Sequence, residues 1–277
     1  MLGQVSAATD PVLHEALRPL TADPRGAAIF CDIDGTLAPI VDRAEDARVG
    51  EEVSLLLGRL ARSYGAVACV SGRSVAEARR LVGLASIAYV GSHGAELLEP
   101  GDDRPELAEA FASWEGRVRD FARDQAERTD TERLGVRLED KGPIKAFHWR
   151  GAADEQAAQT LLEGVARQAH TAGLDIHWGR KVLEIRPPVP MNKGQGVRTL
   201  LERRPASCAL YGGDDVTDLD AFDALDALVE SRAIDAAVRV GVRSAEGPAA
   251  IVERADLVVD GVEGFLEVLT ALDHALR

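Results

Sequence analysis

The amino-acid sequence predicts an α/β fold, a doubly wound and mainly parallel sheet into which a second, smaller α+β domain is inserted. Short, wholly apolar runs alternate with stretches of helical periodicity, which is typical of strands buried on both faces of a parallel sheet. Between about residues 105 and 186 this alternation gives way to paired strands joined by turns. A length of 277 residues with 46% hydrophobic side chains suits a packed core carrying a second domain.

The first part of the core follows a short helical arm over residues 1–25, which ends in turn residues. Apolar runs without polar interruption predict buried strands, and apolar residues spaced three and four apart predict helices. In chain order we expect a strand at 27–31, a helix at 51–64, a strand at 66–70, a helix at 75–81 and a strand at 87–90.

The inserted domain begins after a linker at 101–105 and has a different order of elements. Its pattern predicts a helix at 106–128, strands at 136–139 and 144–149, a helix at 153–172, and strands at 176–178 and 182–185. We interpret this unit as a lid, and prolines at 187, 188 and 190 mark the return to the core. The predicted domains are an arm at 1–25, a Rossmann-like core at 26–104 and 187–277, and a cap at 105–186.

The α/β pattern then resumes. It predicts a helix at 193–202, strands at 206–211, 238–242 and 257–259, and a final helix at 262–275.

Composition limits the partners. A formal net charge of −14 repels polyanions, so nucleic acid is not expected, although a local basic pocket stays possible. No apolar run approaches the roughly 20 residues that cross a bilayer, and the N-terminus lacks a secretory pattern. Cys31, Cys69 and Cys208 are far apart and predict buried thiols in a reducing compartment. We expect a cytoplasmic monomer with no membrane partner.

Residues with carboxylate, hydroxyl or ammonium side chains directly follow the predicted strands or begin the next helix. Because ligands bind at the carboxyl ends of strands in open α/β sheets, we expect these side chains to share one crevice. Clustered carboxylates cannot all ionise without a cation, and oxygen ligands suit Mg²⁺ together with a phosphate oxygen. The residues are Asp32 and Asp34, Ser71, Lys193, and Asp214 with Asp215.

The two acids of the first strand end are suited to different tasks. Asp32 against a metal stays ionised and can attack phosphorus as a nucleophile, while Asp34 can protonate the leaving oxygen and later deprotonate water. Other readings of these residues remain open at this point: an ordinary turn for Asp32 and Asp34, and helix caps for Asp214, Asp215 and Asp218. Motifs of P-loop kinases, zinc proteases and serine hydrolases are absent from the sequence.

These residues in this order resemble the haloacid dehalogenase-like phosphatase superfamily and, within it, the trehalose-6-phosphate phosphatase family. The narrower resemblance covers residues from about 27 to 270. It depends on DIDGTL at 32–37, VSGR at 70–73, GSHGAE at 91–96, EDKG at 139–142, HWR at 148–150, KVLEIRP at 181–187, NKG at 192–194 and GDDVTD at 213–218.

The resemblance implies a Mg²⁺-dependent hydrolysis of trehalose 6-phosphate through an aspartyl-phosphate, with Asp32 as nucleophile and Asp34 as acid and base. Ser71 and Lys193 would hold the phosphoryl group, and Asp218 would support the site. Metal ligands would be Asp32, Asp34 through its backbone carbonyl, and Asp214, with Asp215 beside them in the metal site. Substrate-binding residues would be Arg73, His93 and Gly94 in the core and Glu139, Lys141, Arg150, Lys181 and Glu184 in the cap.

Several interpretations stay open on sequence alone. Arg73 either binds substrate or pairs with an Asp, His93 either lines the site or supports a turn, and His148 is expected to be packed or hydrogen-bonded. The alternative functions are a phosphatase for another sugar phosphate, such as sucrose phosphate or mannosyl-3-phosphoglycerate, and a non-catalytic sugar-phosphate sensor.

Overall fold

A computed structural model describes residues 11–41, 46–128, 130–189, 192–244 and 247–276 of the chain. The chain divides into two compact units, Met1–Glu106 with Met191–Arg277, and Leu107–Pro190. The first ten residues of the predicted arm lie outside the described residues.

The strands of the described residues are β1 (Ala27–Cys31), β2 (Ala66–Val70), β3 (Ala88–Gly91), β4 (Glu96–Leu98), β5 (Glu106–Leu107), β6 (Arg137–Lys141), β7 (Ile144–His148), β8 (Asp175–Gly179), β9 (Val182–Arg186), β10 (Cys208–Gly213), β11 (Ala236–Arg243) and β12 (Leu257–Asp260).

The helices are α1 (Pro11–Ala22), α2 (Glu51–Ser63), α3 (Val75–Val82), α4 (Glu109–Arg128), α5 (Glu155–Thr171), α6 (Lys193–Arg203), α7 (Leu219–Glu230), α8 (Ala249–Arg254) and α9 (Gly261–His274).

The first unit is built on an eight-stranded sheet in the order β12-β11-β10-β1-β2-β3-β4-β5. Its strands from β12 to β3 are parallel, and β4 is antiparallel to β3. The predicted α/β class is therefore confirmed. Strands β4 and β5 were not predicted, because runs of three and two residues are too short to show a periodic pattern. β5 occupies positions where the sequence predicted the start of the helix at 106–128, and that helix begins at Glu109.

Two apolar layers explain why β1 is wholly apolar. Ile29 and Cys31 belong to a core cluster that includes side chains of α1, α2, α3 and α9, whereas Phe30 belongs to a second cluster with side chains of α6 and α7. Alternate residues of one strand point to opposite faces, so a strand covered on both faces needs apolar residues at every position.

The second unit is a four-stranded antiparallel sheet in the order β6-β7-β9-β8. Phe147 of β7 and Leu183 of β9 share a buried cluster with Val118 of α4 and Leu162 of α5, so both helices cover one face. The element order is the one expected from the sequence. That this unit acts as a cap stays a prediction.

Among the described residues, no helix combines the length and apolar character needed to cross a bilayer.

Candidate active site

The carboxyl ends of three neighbouring strands hold the residues that the sequence singles out. β1 lies between β10 and β2, so the strands that follow it directly in the chain, β2 and β3, lie on one side of it and β10, β11 and β12 lie on the other. Asp32 directly follows β1, and its backbone N–H donates to the carbonyl oxygen of Gly212 in β10 at 2.9 Å. Such a reversal point opens a crevice at the carboxyl ends of the strands.

A buried ion network occupies this crevice. Lys193 Nζ donates to Asp32 Oδ1 and to Asp218 Oδ1, each at 2.7 Å. All three side chains are at most 4% exposed. Burial by itself lowers the pKa of Lys193, but the carboxylates of Asp218 and Asp32 raise it more, and the net shift is upward. The lysine is therefore held as an ammonium between two acids.

Asp218 is the most saturated acid of the network. Its Oδ1 also accepts the hydroxyl of Tyr211 at 2.6 Å, and its Oδ2 accepts the backbone N–H groups of Asp214 at 3.0 Å and Asp215 at 2.9 Å. The sequence assigned Asp218 only a supporting role, and its spacing four residues after Asp214 was the available signal. These contacts fix the loop that carries Asp214.

Three carboxylates could hold a metal ion. Asp32, Asp214 and Asp218 are buried, and one oxygen of each lies within 4.8 Å of the others. Asp214 Oδ1 is buried with no hydrogen-bond partner among the described residues. Burial and then the charge of Asp218 raise the pKa of Asp214 from 3.8 to about 7. An oxygen-only set with an unsatisfied carboxylate fits a hard divalent cation.

Glycine at position 35 makes room for Asp214. Gly35 has a φ of +86°, and a Cβ there would overlap the carboxylate of Asp214. Both the left-handed backbone and the close approach exclude other side chains.

Asp34 makes different contacts from those of these three carboxylates. Arg73 Nε donates to Asp34 Oδ2 and Arg73 Nη2 to Asp34 Oδ1, each at 2.7 Å. The carboxylate is 39% exposed and the guanidinium side chain 11%. Of the two interpretations of Arg73 left open by the sequence, the structure shows the pairing with an Asp, and substrate binding stays a prediction.

Ser71, Arg73 and His93 share one turn region beside β2. Ser71 Oγ accepts the backbone N–H of Arg73 at 3.2 Å, and the N–H of His93 donates to the carbonyl of Ser71 at 3.1 Å. His93 has a left-handed backbone with φ of 52°, and its ring would lie 2.6 Å from a Cβ at Gly72. The His93 imidazole therefore lies directly against the loop at 71–73 that contains Ser71 and Gly72.

Gly94 is required by the backbone that it faces. It has a φ of +100°, and a Cβ there would lie 2.5 Å from the carbonyl oxygen of Asn192. Asn192 caps α6 by accepting the N–H of Gln195, and Lys193 begins that helix. Gly94 therefore contributes close packing beside Lys193.

Asp215 was predicted as a metal ligand, but one of its carboxylate oxygens makes a different contact. Its carboxylate caps a short 3-10 turn by accepting the N–H of Val216 at 2.5 Å. The carboxylates that lie close together are those of Asp32, Asp214 and Asp218. The sequence analysis placed Asp215 among the metal ligands and Asp218 in a supporting role, whereas this grouping favours Asp218 as the ligand.

The second unit carries a polar cluster on the sheet face opposite its helices. Glu139 and Glu184 both pair with Ala146 across the sheet. Lys141 Nζ lies 3.7 Å from Glu139 Oε2 and 3.6 Å from Glu184 Oε1. His148 Nε2 lies 2.6 Å from Glu139 Oε2, so the expectation of a hydrogen-bonded His148 is met.

Glu184 has a second basic neighbour that the sequence did not single out. Arg186 Nε donates to Glu184 Oε2 at 3.0 Å. Burial raises the pKa of Glu184, but Arg186 and Lys141 lower it more, so the net shift is downward.

Lys181 and Arg150 make their contacts elsewhere. Lys181 Nζ lies 2.7 Å from Glu155 Oε2, and Arg150 Nη2 donates to the carbonyl of Arg180 at 3.5 Å. Of the five cap residues that the resemblance implies, the structure groups Glu139, Lys141 and Glu184, and it places Lys181 with Glu155.

A family model and a curated relative both identify the trehalose-phosphatase family. The trehalose-phosphatase family model matches residues 30–250. A trehalose-phosphate phosphatase of Mycolicibacterium paratuberculosis is 37% identical over 212 residues, covering 73% of this chain and 52% of that protein. An uncharacterized glycosyl hydrolase of Mycobacterium tuberculosis is also 37% identical, over 210 residues that cover 73% of this chain and 15% of that protein.

One solved structure, titled as a trehalose-6-phosphate phosphatase related protein, shares the fold. It has a TM-score of 0.65 at 24% identity and covers 89% of this chain and 97% of its own. The chain spans about half the length of the phosphatase relative and a smaller part of the glycosyl hydrolase.

Proposed function

The chain belongs to the trehalose-phosphatase family, and from this premise we propose that it hydrolyses trehalose 6-phosphate to trehalose and phosphate. The family match confirms the resemblance inferred from the motifs. The observation that carries the proposal is the buried network in which Lys193 joins Asp32 to Asp218 beside an unsatisfied Asp214 oxygen. Uncompensated buried acids are costly, and they suit a site that receives a cation and a phosphate.

A divalent cation fits this site, and Mg²⁺ is the ion that we propose. Asp32, Asp214 and Asp218 would hold it through carboxylate oxygens. When bound, such an ion supplies positive charge that stabilises both the acids and a phosphoryl group. Asp34 and Asp215 are less favoured as carboxylate ligands, because they do not belong to the group whose carboxylate oxygens lie within 4.8 Å of one another.

Asp32 is the proposed nucleophile. A carboxylate oxygen of Asp32 would form a bond to phosphorus as the bond from phosphorus to the sugar oxygen breaks, leaving an aspartyl-phosphate that water then hydrolyses. Burial raises the pKa of Asp32, and the adjacent Lys193 ammonium opposes that shift. Lys193 would therefore favour the ionised, attacking form and orient it through the 2.7 Å hydrogen bond.

Asp34 is the proposed acid and base, and Arg73 limits when it can act. In the present pairing both Asp34 oxygens accept from the guanidinium, so a proton on Asp34 requires that this pair open. A phosphate or sugar group in the crevice would offer Arg73 another acceptor. We infer that substrate binding transfers Arg73 from Asp34 to the substrate and releases the acid.

Recognition of the sugar is proposed for the polar face of the second unit. Lys141 Nζ lies 3.7 Å from a carboxylate oxygen of Glu139 and 3.6 Å from one of Glu184, so a charged donor lies between two charged acceptors. Charged groups discriminate between sugars because a hydroxyl that is missing or misplaced leaves them without a partner. A monomeric state and a cytoplasmic location stay predictions.

A phosphate-release assay on several substrates tests the function. With Mg²⁺, trehalose 6-phosphate should be turned over with a kcat/KM at least tenfold above those of sucrose phosphate, mannosyl-3-phosphoglycerate and glucose 6-phosphate. Chelation of the metal should abolish turnover. Preference for another sugar phosphate would replace the proposed substrate, and no release from any substrate would favour a non-catalytic sensor.

A further inference from the structure

A second candidate site lies in the second unit, where β7 ends and α5 begins. A cavity of about 430 Å³ opens there, within the range of roughly 300 to 1,000 Å³ that holds small molecules. Its lining includes Trp149, Trp178, Glu155, Gln156, Gln159 and Lys181.

This cavity and the polar cluster lie on opposite faces of the sheet. Trp178 of β8 pairs directly with Leu183 of β9, and directly paired residues point to the same face. Leu183 packs into the buried cluster under α4 and α5, so Trp178 lies on the helix-bearing face. Glu184, one residue later, points to the other face, together with Glu139. A molecule in the cavity would therefore occupy a site distinct from the polar cluster.

Two tryptophans give the cavity a fixed aromatic wall. The Trp149 and Trp178 rings meet edge to face, with centroids 5.8 Å apart and an interplanar angle of 82°. Trp149 is 5% exposed and held in the core cluster, whereas Trp178 is 39% exposed. An indole held by a buried neighbour loses little freedom on binding and offers its face to the C–H side of a pyranose ring.

Amide side chains line the helix side of the cavity. Gln156 and Gln159 are three residues apart in the first turns of α5, so they share one helix face. Each amide has two donors and an acceptor with two lone pairs, which matches adjacent hydroxyl groups of a sugar. Both residues are exposed.

The charges at the rim balance each other. Lys181 lies in the two-residue turn between Gly179 and Val182, with a left-handed φ of 63°. Its Nζ lies 2.8 Å from Glu155 Oε1 and 2.7 Å from Glu155 Oε2. Because the ammonium already has a carboxylate partner, the lining favours neutral hydroxyls over a phosphate.

We propose that this cavity binds a neutral pyranose sugar, stacked on Trp178 and hydrogen-bonded by Gln156, Gln159 and the Glu155–Lys181 pair. The site is separate from the proposed phosphatase reaction. Two sources share the required chemistry, a non-reducing disaccharide such as trehalose and an α-linked glucose oligomer such as maltotriose.

Calorimetric titration of the full chain tests the proposal with trehalose, maltotriose and glucose 6-phosphate. Trp178→Ala removes the stacking wall. Ile176→Ala is the matched control, since Ile176 lies on the same strand and the same face but is not among the lining residues. The double variant Gln156→Ala, Gln159→Ala changes only exposed helix positions, so it tests the cavity even where Trp178→Ala fails to fold. Hydrolysis of p-nitrophenyl phosphate with Mg²⁺ is followed in parallel.

We expect at least one neutral sugar to bind wild type, with its affinity reduced tenfold or more by Trp178→Ala or by the double Gln variant. The more tightly bound of trehalose and maltotriose identifies the source. Ile176→Ala should bind within twofold of wild type, and p-nitrophenyl phosphate turnover should stay within twofold in every variant. Wild-type affinity in both pocket variants, no binding of either neutral sugar, or tighter binding of glucose 6-phosphate that the pocket variants reduce would overturn the proposal.

Discussion

Arg73 holds Asp34 through two parallel hydrogen bonds, Nε to Oδ2 and Nη2 to Oδ1, each 2.7 Å long. A guanidinium forms this fork with a carboxylate far better than an ammonium can. The proposed acid is thereby locked to the residue proposed to contact substrate, so binding and proton transfer are linked through one side chain.

Arg73→Lys tests that link. Lysine keeps the positive charge and loses the fork, so we expect kcat/KM for trehalose 6-phosphate to fall about tenfold to a hundredfold, with the fold retained. Steady-state phosphate release with Mg²⁺ measures the change, and a thermal melt checks folding. Arg79→Lys, in the helix that follows, is the control and should act as wild type. Unchanged kinetics in Arg73→Lys would show that Arg73 does not link substrate binding to proton transfer by Asp34.

Substitutions of Asp218 and Asp215 test which of these two acids contributes to the metal site. Asp218→Asn should lower turnover at least about a hundredfold, because it removes a buried carboxylate that contacts Lys193 and groups with Asp32 and Asp214. Asp215→Asn should stay within about fivefold, since asparagine preserves the cap on the 3-10 turn. Phosphate release at saturating Mg²⁺ compares the two variants, and the opposite order of effects would restore the ligand set expected from sequence.

Stabilisation by Mg²⁺ should depend on pH. The pKa of Asp214 is raised to about 7 in the fold, so without metal this group destabilises the folded state increasingly as the pH rises from about 4 to about 7. Below about pH 7 a proton also competes with the cation for this carboxylate. The rise in Tm on adding Mg²⁺ should be larger at pH 8 than at pH 5.5.

Asp214→Asn is the control for the pH dependence, because the amide cannot titrate. Its Mg²⁺-induced rise in Tm should be small at both pH values. A larger Mg²⁺ effect at pH 5.5 than at pH 8 in the wild-type protein would contradict the placement of Asp214 at the cation.

Sugar recognition is tested at the polar face of the second unit. Glu139→Ala removes the acceptor that contacts both Lys141 and His148, so kcat/KM for trehalose 6-phosphate should fall at least about tenfold. Turnover of p-nitrophenyl phosphate, which carries no sugar, should change less than twofold. Glu127→Ala on the exposed surface of α4 is the matched control. Equal losses on both substrates would remove this face from sugar recognition.

The strand ends were predictable because their chemistry is local. Wholly apolar runs that stop at Asp32, Ser71 and Asp214 need only the rule that parallel strands bring their carboxyl ends together. Lys193 was identified as the first residue of a helix in the same crevice. The sequence positions of these residues are enough to bring them to one edge of the sheet.

Side-chain partners were not predictable in the same way. Asp215 and Asp218 have the same chemistry three residues apart, and only the backbone of the turn decides which carboxylate points inward. The two hydrogen bonds between Arg73 and Asp34 likewise depend on how two loops are placed relative to each other, and no periodic pattern in the sequence predicts that placement. Lys181 contacts Glu155 because a left-handed turn directs it there, although its motif implied a role beside Glu184.

The most direct measurement of the central claim is phosphate release from trehalose 6-phosphate by wild type and by Asp32→Asn at saturating Mg²⁺. The substitution keeps the side-chain shape but removes the attacking oxyanion beside Lys193. Wild type should turn over the substrate, and the variant should lose at least about a thousandfold in kcat while melting as a folded protein. A variant that keeps more than a few per cent of wild-type kcat would contradict Asp32 as the nucleophile.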